Sequence, residues 1–256
     1  MTVRLLDKMI KILCEERNEK VPQLRESEKF GYFRALVNVR PPNPASKEFL
    51  VLQDKYLQAE LKEKNITDIK TLSPLQEDLY LWRGDITKLK CDGIVNAANP
   101  QLLGCFCPNH GCIDNAIHTF AGVQLRLECA ELMKMQGHEE PAGKAKITKA
   151  YNLPCKYVLH TVGPIVYGEL TERHEQLLAD CYRSCLALAD GNGLQSLAFC
   201  CISTGEFRFP NRRAAEIAVQ TVKKYKQATQ SKIKVVFTVF KEVDHAIYAE
   251  LFKANQ

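Results

Sequence analysis

Soft metal ligands and a carboxylate are crowded into one short segment of this 256-residue chain. Cys105, His110 and Cys112 offer the sulfur and imidazole ligands that zinc prefers, with Cys107 as a spare thiol. A tetrahedral zinc ion with three protein ligands leaves its fourth position free for a water or a substrate oxygen. Asp114 follows two residues after Cys112, close enough to act on whatever occupies that position. The segment therefore predicts a zinc-assisted enzyme rather than a protein with a purely structural zinc site.

Non-catalytic interpretations of the same residues remain open at this point. With Cys107 as a fourth ligand the metal would be purely structural. The chain has 11 cysteines, so the cluster would also fit a redox-sensitive loop or chance. Asp114 would serve as the N-cap of a helix beginning at Asn115, a role that Asp favours. Capping and catalysis are compatible, so this last alternative does not exclude a catalytic role.

Composition sets broad limits on the class of protein. The apolar and charged fractions, 46% and 25%, are those of an ordinary soluble globular protein. No run approaches the roughly 18 apolar residues of a membrane helix, and the N-terminus does not resemble a signal peptide. We therefore expect a cytoplasmic protein with no membrane partner. The net charge of +5 is spread along the chain without a basic stripe, so nucleic acid is not expected as the principal ligand.

The first part of the chain, residues 1–72, is predicted to be a helical N-terminal extension. Apolar residues recur at helical spacing from Leu5 to Leu13, and a second helical pattern covers Phe49–Lys64. Ser46 precedes the second pattern as a plausible N-cap. The extension carries no evident chemistry, so we expect it to be a packing appendage.

Residues 73–256 form the second predicted region, in which strands and helices alternate. The predicted strands are Leu79–Trp82, Gly93–Ala97, Ala145–Tyr151, Tyr157–Thr161, Leu197–Ile202 and Val235–Phe240. The predicted helices are Asn115–Met135, Arg173–Ala189, Arg212–Lys226 and one from Asp244 onward. Such alternation predicts an α/β fold with a mostly parallel or mixed sheet and helices on both faces.

Ligands of such sheets bind at the carboxyl ends of the strands, in the loops that lead to helices. Three loops in this position have unusual sequences, at residues 83–87, 96–114 and 203–211. The third begins Ser203-Thr204-Gly205, a turn in which backbone amides can converge on an anion beside a helix N-terminus. On its own this anion cradle is a weak signal.

Taken together and in order, these loops resemble the macrodomain family, whose members bind or hydrolyse ADP-ribose. The matching motifs are Gly84-Asp85-Ile86-Thr87, Ile94-Val95-Asn96-Ala97-Ala98-Asn99, Ile113-Asp114-Asn115-Ala116-Ile117-His118, Ala121-Gly122, His160-Thr161-Val162-Gly163-Pro164, Ser203-Thr204-Gly205, Phe209-Pro210 and Ala214-Ala215. The resemblance runs from about Leu79 to the C-terminus. It implies a three-layer α/β/α macrodomain with a mixed central sheet, preceded by the helical extension.

The cysteine-rich segment resembles the zinc-containing branch of that family. Some members of the branch are encoded beside sirtuin-type ADP-ribosyltransferases and reverse their modification. The resemblance implies one catalytic zinc ion with three protein ligands, Cys105, His110 and Cys112. It also implies that a sirtuin-type transferase acts on the same target protein.

The resemblance assigns roles to further residues. Asp114 would be the catalytic carboxylate, and Asn99 would orient a ribose hydroxyl or the water. The implied ligand-binding residues are Asp85, Ile86, Asn99, Ser203, Thr204, Gly205, Glu206, Phe207 and Phe240. Among them Asp85 would accept a hydrogen bond from the adenine amino group, and the backbone of residues 203–207 would wrap the diphosphate. Phe240 would face adenine or belong to the core.

Two residues of the third loop depart from the family pattern. Glu206 would repel phosphates unless it points outward or pairs with Arg208, and Arg208 would contact the diphosphate or narrow the cleft.

His118, one turn into its helix, is expected to be packed and hydrogen-bonded. His160, at a strand end, is likewise expected to be structural.

These inferences lead to one principal functional prediction and several alternatives. The principal one is a zinc-dependent hydrolase that binds ADP-ribose and removes mono-ADP-ribose from modified protein side chains. The same residues would also serve an O-acetyl-ADP-ribose deacetylase. From other classes, the alternatives are a non-catalytic ADP-ribose reader, a nucleic-acid-binding protein whose cleft has diverged from ADP-ribose binding, and a zinc-stabilised scaffold.

Overall fold

The computed structural model describes residues 2–253 and begins with three helices, α1 (Thr2–Glu16), α2 (Glu26–Val39) and α3 (Lys47–Glu63). The sequence predicted α1 and α3, and the Ser46 hydroxyl caps α3 by accepting a hydrogen bond from the Phe49 amide at 3.1 Å. Helix α2 was missed. Its apolar side chains do not form one stripe because the helix packs against α1 on one side and the helix that follows the cysteine-rich segment on another.

The central sheet has six strands in the order β2-β8-β7-β4-β6-β5. The strands along the chain are β1 (Thr67–Asp68), β2 (Leu79–Arg83), β3 (Leu89–Lys90), β4 (Gly93–Ala98), β5 (Ala145–Lys149), β6 (Tyr157–Val162), β7 (Ser196–Phe199) and β8 (Lys234–Val239). Strand β5 pairs antiparallel with β6, and the other neighbours in this sheet are parallel, which confirms the mixed sheet. Strands β1 and β3 form a separate two-stranded ladder.

Helices cover both faces of the sheet, as the sequence predicted. They are α4 (Ile113–Ala121), α5 (Val123–Gln136), α6 (Glu172–Gly191), α7 (Asn211–Thr229) and α8 (Glu242–Lys253). Helices α4 and α5 form one layer, and α6, α7 and α8 form the other. None of the helices described in residues 2–253 combines the length and apolarity that crossing a bilayer requires.

The single helix predicted over Asn115–Met135 is wrong, because the chain breaks it at Gly122. This glycine has φ +97°, in the left-handed half of conformational space, and a Cβ there would meet the Gln53 amide nitrogen at 2.5 Å. Gln53, on α3, accepts a hydrogen bond from the Val123 amide at 3.0 Å through its own side-chain oxygen. The extension thus fixes the joint between α4 and α5.

Two clusters of buried residues stabilise the molecule. The larger surrounds the six-stranded sheet, and the smaller lies among α1, α2 and α3. The smaller cluster also includes Val123 of α5, while Phe120 of α4 packs against both. The extension is therefore attached to the helical layer that begins immediately after the cysteine-rich segment.

Candidate active site

The five parallel strands β2, β8, β7, β4 and β6 end at one edge of the sheet, and the loops that leave them enclose a cleft of about 920 Å³. This volume is typical of a pocket for a ligand of nucleotide size. The cleft is lined by every predicted site residue, namely Asp85, Ile86, Asn99, Cys105, His110, Cys112, Asp114, Ser203, Thr204, Gly205, Glu206, Phe207 and Phe240. The structure therefore brings together all the residues that the sequence analysis selected.

Cys105, His110 and Cys112, which we call the open group, have donor atoms that lie within 4.8 Å of one another. The Cys105 Sγ and His110 Nδ1 atoms are 3.6 Å apart. Tetrahedral bonds of about 2.3 Å to sulfur and about 2.1 Å to nitrogen would separate these two ligand atoms by about 3.6 Å. All three side chains are half-exposed and face the cleft. They fit a zinc ion with one side accessible to a ligand.

Cys107 is not part of the open group and its side chain is exposed. Among residues 2–253, a closed four-ligand site with Cys107 as the fourth member is therefore not formed. Burial, together with nearby Cys105 and Asp114, raises the pKa of the Cys112 thiol to about 12. Binding of a cation would have to displace that proton, so metal affinity at this group is expected to rise with pH.

Helix α4 begins at Ile113, and its N-cap is Cys112, whose Sγ accepts a hydrogen bond from the Asn115 amide at 3.4 Å. The expectation that Asp114 caps a helix starting at Asn115 is therefore wrong. Asp114 instead lies in the first turn of α4 and points its carboxylate into the site. This shift frees both carboxylate oxygens for other partners.

The Asp114 carboxylate is buried, with 5% of the residue exposed, and two asparagine amides face it. The Asn96 Nδ2 atom donates to Oδ1 at 2.8 Å, and the Asn99 Nδ2 atom lies 3.5 Å from Oδ2. Burial raises the pKa of Asp114 to about 6, although the Asn96 hydrogen bond and the positive charge of Arg126 lower it. A carboxyl group with this pKa can accept or release a proton near neutral pH.

His118 lies directly behind Asp114, with its Nε2 atom 3.6 Å from the Asp114 Oδ1 atom. Its ring is buried as expected, but within the described residues neither ring nitrogen has a hydrogen-bond partner, so the expected hydrogen bonds are absent. Burial, together with His160 and Arg126, lowers the pKa of His118 well below its usual value. His118 is therefore neutral in the folded protein.

His118, Cys129 and His160, which we call the closed group, form a second cluster with donor atoms within 4.8 Å of one another. This geometry could hold a metal ion, but all three residues are buried. The Asn96 amide donates to His160 Nδ1 at 3.2 Å, so Nε2 carries the proton that the Thr148 hydroxyl accepts at 2.9 Å. Sequence patterns missed this cluster because its members come from α4, α5 and β6.

Asp85 and Phe240 line the cleft on the loops that follow β2 and β8. The Asp85 Oδ1 atom accepts hydrogen bonds from the Thr87 amide at 3.0 Å and the Thr87 hydroxyl at 2.6 Å, which fixes the carboxylate. Phe240 directly follows β8 and is 77% exposed, so it does not belong to the core. It presents an aromatic face at the rim of the cleft.

The third loop forms the middle of the cleft. Ser203 has φ +65°, and its buried hydroxyl has no hydrogen-bond partner within residues 2–253. Glu206 does not pair with Arg208. Its Oε1 atom lies 3.6 Å from His110 Nε2, so its charge faces the open group rather than the cradle. Arg208 is not among the residues that line the cleft.

One lining residue comes from the extension and was missed by the sequence analysis. Arg34, on α2, donates hydrogen bonds to the His110 carbonyl oxygen and the Asn115 side-chain oxygen, and it lines the cleft beside the open group. No motif surrounds Arg34, so nothing in the sequence pointed to it. The prediction that the extension is only a packing appendage is therefore incomplete.

Both the sequence and the fold of this chain are similar to those of known proteins. The sequence model of the Macro domain matches residues 95–218. Protein-ADP-ribose hydrolases from Treponema medium and from Staphylococcus aureus strain MSSA476 are 59% and 50% identical to this chain. The first alignment covers 88% of each chain, and the second covers 98% of this chain and 96% of the relative.

Two solved macrodomains have similar folds. The Oceanobacillus iheyensis macrodomain with ADP is 38% identical, with a TM-score of 0.64 over 72% of this chain and 95% of the other. The Trypanosoma brucei macrodomain in complex with ADP-ribose is 32% identical, with a TM-score of 0.67 over 85% and 94%.

Proposed function

This chain belongs to the macrodomain family, and we propose that it is a zinc-dependent hydrolase that removes mono-ADP-ribose from modified protein side chains. The observation that best supports this function is the presence of the open group and the buried carboxylate of Asp114 in one cleft. A module that only binds ADP-ribose needs neither. Relatives at 50–59% identity are named protein-ADP-ribose hydrolase, which agrees with the enzyme class.

The proposed substrate orientation follows from the chemistry of the cleft. Adenine would lie near Asp85, Ile86 and Phe240, where a fixed carboxylate and an aromatic face are available. The diphosphate would lie along the backbone of residues 203–207, which precede the N-terminus of α7. The terminal ribose would then reach Asn99 and Asp114. The T. brucei macrodomain that binds ADP-ribose supports this choice of ligand.

Hydrolysis at ribose carbon one develops positive charge on the sugar and needs a positioned water. The Asp114 carboxylate would stabilise that charge and accept a proton from the water. Asn99 would orient a ribose hydroxyl or the water, because its amide already lies beside Asp114 and donates to the Gly104 carbonyl oxygen at 3.0 Å. When bound, zinc supplies Lewis-acid chemistry at the ribose end of the cleft.

The proposal extends to the setting of the reaction. We divide the chain into an extension of residues 1–72 and a macrodomain of residues 73–256. The 11 cysteines are all free thiols, which fits a reducing compartment, so we expect the enzyme to act in the cytoplasm. The modified substrate must come from an ADP-ribosyltransferase, and a sirtuin-type transferase acting on the same target is our candidate.

The test is release of ADP-ribose from a glutamate- or aspartate-modified protein. The zinc-loaded protein would be compared with a chelated sample of verified fold and with Asp114→Ala. Asp180→Ala, which removes a half-exposed acidic side chain of α6 that does not line the cleft, is the matched control. We expect turnover to be lost in the chelated sample and in Asp114→Ala, with ADP-ribose still bound by the mutant.

Two results would change the proposal. Tight ADP-ribose binding by the loaded protein without turnover would show a reader. Turnover of O-acetyl-ADP-ribose but not of the modified protein would show a deacetylase.

A further inference from the structure

The helical extension makes a direct hydrogen-bonded contact with the segment of residues 104–112, which we call the metal loop. Arg34 of α2 places its Nε and Nη2 atoms 3.1 and 2.7 Å from the Asn115 side-chain oxygen. Its Nη2 atom also donates to the His110 carbonyl oxygen at 2.9 Å. One guanidinium therefore joins a residue of the open group to the first turn of α4.

Asn115 in turn forms hydrogen bonds with two other residues of the metal loop. Its side-chain Nδ2 atom donates to the Cys107 carbonyl oxygen at 3.0 Å, and its backbone amide donates to Cys112 Sγ at 3.4 Å. A guanidinium has only donors, so Arg34 obliges the Asn115 oxygen to face α2 and its nitrogen to face Cys107. Arg34, together with the Thr119 hydroxyl at 3.4 Å from the same oxygen, therefore fixes the orientation of this buried amide.

Asn38 makes a parallel contact one helical turn further along α2. Its Oδ1 atom accepts a hydrogen bond from the Asn109 amide at 2.9 Å, and its Nδ2 atom donates to the Thr119 hydroxyl at 3.0 Å. Asn109 has φ +55°, in the left-handed region that side-chain-bearing residues rarely adopt. Arg34 and Asn38 are four residues apart and therefore share one face of α2.

We propose that Arg34 and Asn38 form a clamp that holds the metal loop in its metal-binding conformation, with Arg34 as a positioning residue for the open group. Without the clamp, the loop would have to be ordered when the metal binds, and that entropic cost would appear as weaker affinity. The consequence for turnover depends on the hydrolase function proposed above. The consequence for metal binding does not.

Arginine is required at this position because of its shape. Its planar fork can meet the Asn115 oxygen and the His110 carbonyl oxygen together, whereas a lysine ammonium offers a single centre. Arg34→Lys therefore keeps the positive charge beside the cleft and removes the fork. Arg34→Gln removes both the charge and the fork.

The experiment measures zinc affinity by chelator competition on the purified full chain. Partners of metal ligands typically contribute about 10- to 100-fold to metal affinity, so we expect zinc binding to weaken about tenfold or more in Arg34→Lys and Arg34→Gln. Lys29→Gln is the matched control, because Lys29 is on the same helix but pairs with Asp7 of α1 at 2.6 Å. It should keep the wild-type zinc affinity.

Two further measurements separate positioning from general damage. Circular dichroism of the Arg34 variants should show the wild-type fold, and saturating zinc should restore much of their turnover. Arg34→Gln and Asn115→Ala should also be non-additive, because each breaks the same contact.

Wild-type zinc affinity in both Arg34 variants would overturn the clamp, and so would full rescue of zinc affinity by lysine. If the wild-type protein bound zinc but released no ADP-ribose, the proposed function would fail. The comparison of zinc affinities would still decide the clamp.

Discussion

The open group and the closed group contain the same kinds of ligand at similar spacing, yet they have different surroundings. Cys105, His110 and Cys112 are half-exposed on a loop at the cleft, whereas His118, Cys129 and His160 are buried behind it. Burial raises the pKa of the Cys129 thiol, with Asp114 and Glu128 adding to the effect, and Cys129 is not among the residues that line the cleft. Ligand spacing alone therefore does not distinguish the two groups, and the catalytic role that we propose for a metal requires the group that a ligand can reach.

Asp114 lies between the two groups and is coupled to both. It follows Cys112 of the open group in the first turn of α4, and its Oδ1 atom is 3.6 Å from His118 of the closed group. The Asn96 amide also links Asp114 to His160, with contacts of 2.8 and 3.2 Å. The closed group therefore packs against the Asp114 carboxylate from within the protein, and the open group, which we propose to hold the metal, lies on the side of the cleft.

The largest expected effect comes from removing a thiol of the open group. The same substitution in the closed group is the comparison. Cys105→Ser should abolish stoichiometric zinc binding and lower turnover by roughly 100-fold or more, because only two ligands remain and second-sphere changes alone already cost about 10- to 100-fold. Cys129→Ser should retain one zinc ion per chain. Metal content by elemental analysis and ADP-ribose release check both. Two zinc ions per wild-type chain, falling to one in Cys129→Ser, would contradict the distinction between the groups.

The next effect is the pH dependence of stability in the metal-free protein. Burial lowers the pKa of His160 to about 3 and that of His118 well below its usual value, so both bind protons more readily when unfolded. As pH falls below about 6.5, both should reduce the free energy of unfolding, and His160 should contribute up to about 1.4 kcal/mol per pH unit until the pH approaches 3. Asp114, whose pKa is raised to about 6, acts in the opposite direction between pH 6 and about 4. The sum is a net loss of stability on acidification.

His160→Gln isolates the contribution of the closed group. With one histidine gone, His118 and Asp114 act in opposite directions, so the loss of unfolding free energy on acidification should be clearly shallower than in the wild type. His138→Gln, at an exposed site, is the control and should keep the wild-type slope. Urea titrations at several pH values measure this. An unchanged slope in His160→Gln would show that His160 does not titrate on unfolding.

The residues that line the cleft could be selected from the sequence, but the residues that pack against them could not, and both outcomes have physical reasons. The residues at strand ends, such as Asp85 and Asn99, lie within short contiguous motifs, and the carboxyl edge of a parallel sheet brings such motifs together. Arg34 and the closed group depend on packing between elements that are distant in sequence, which periodicity does not report. The break at Gly122 was missed because the apolar pattern continues across it, and the positive φ and the approach of Gln53 that require a glycine there are visible only in the structure.

A smaller effect is expected from His118. Both of its ring nitrogens are buried without partners in the described part of the chain, which costs free energy that an apolar side chain would not incur. His118→Phe should therefore leave stability nearly unchanged or raise it by about 1 kcal/mol, provided the ring fits beside Gly104. Chemical denaturation at pH 7 measures the change. A loss of several kcal/mol would show instead that the imidazole has a polar partner, such as a metal ion in the closed group.

The smallest effect concerns the partner of the open group. Glu206 Oε1 lies 3.6 Å from His110 Nε2, on the side of the ring away from the Nδ1 atom that faces Cys105. A carboxylate there favours the tautomer that leaves Nδ1 free to bind a metal, but Glu206 is exposed, so the contribution is screened by solvent. Glu206→Gln should weaken zinc binding by only about two- to threefold, since exposed charge pairs contribute less than about 1 kcal/mol. Chelator competition would detect this against Glu169→Gln, which lies away from the cleft. A loss as large as that expected for the Arg34 variants would mean that the open group depends on its carboxylate partner as much as on the extension.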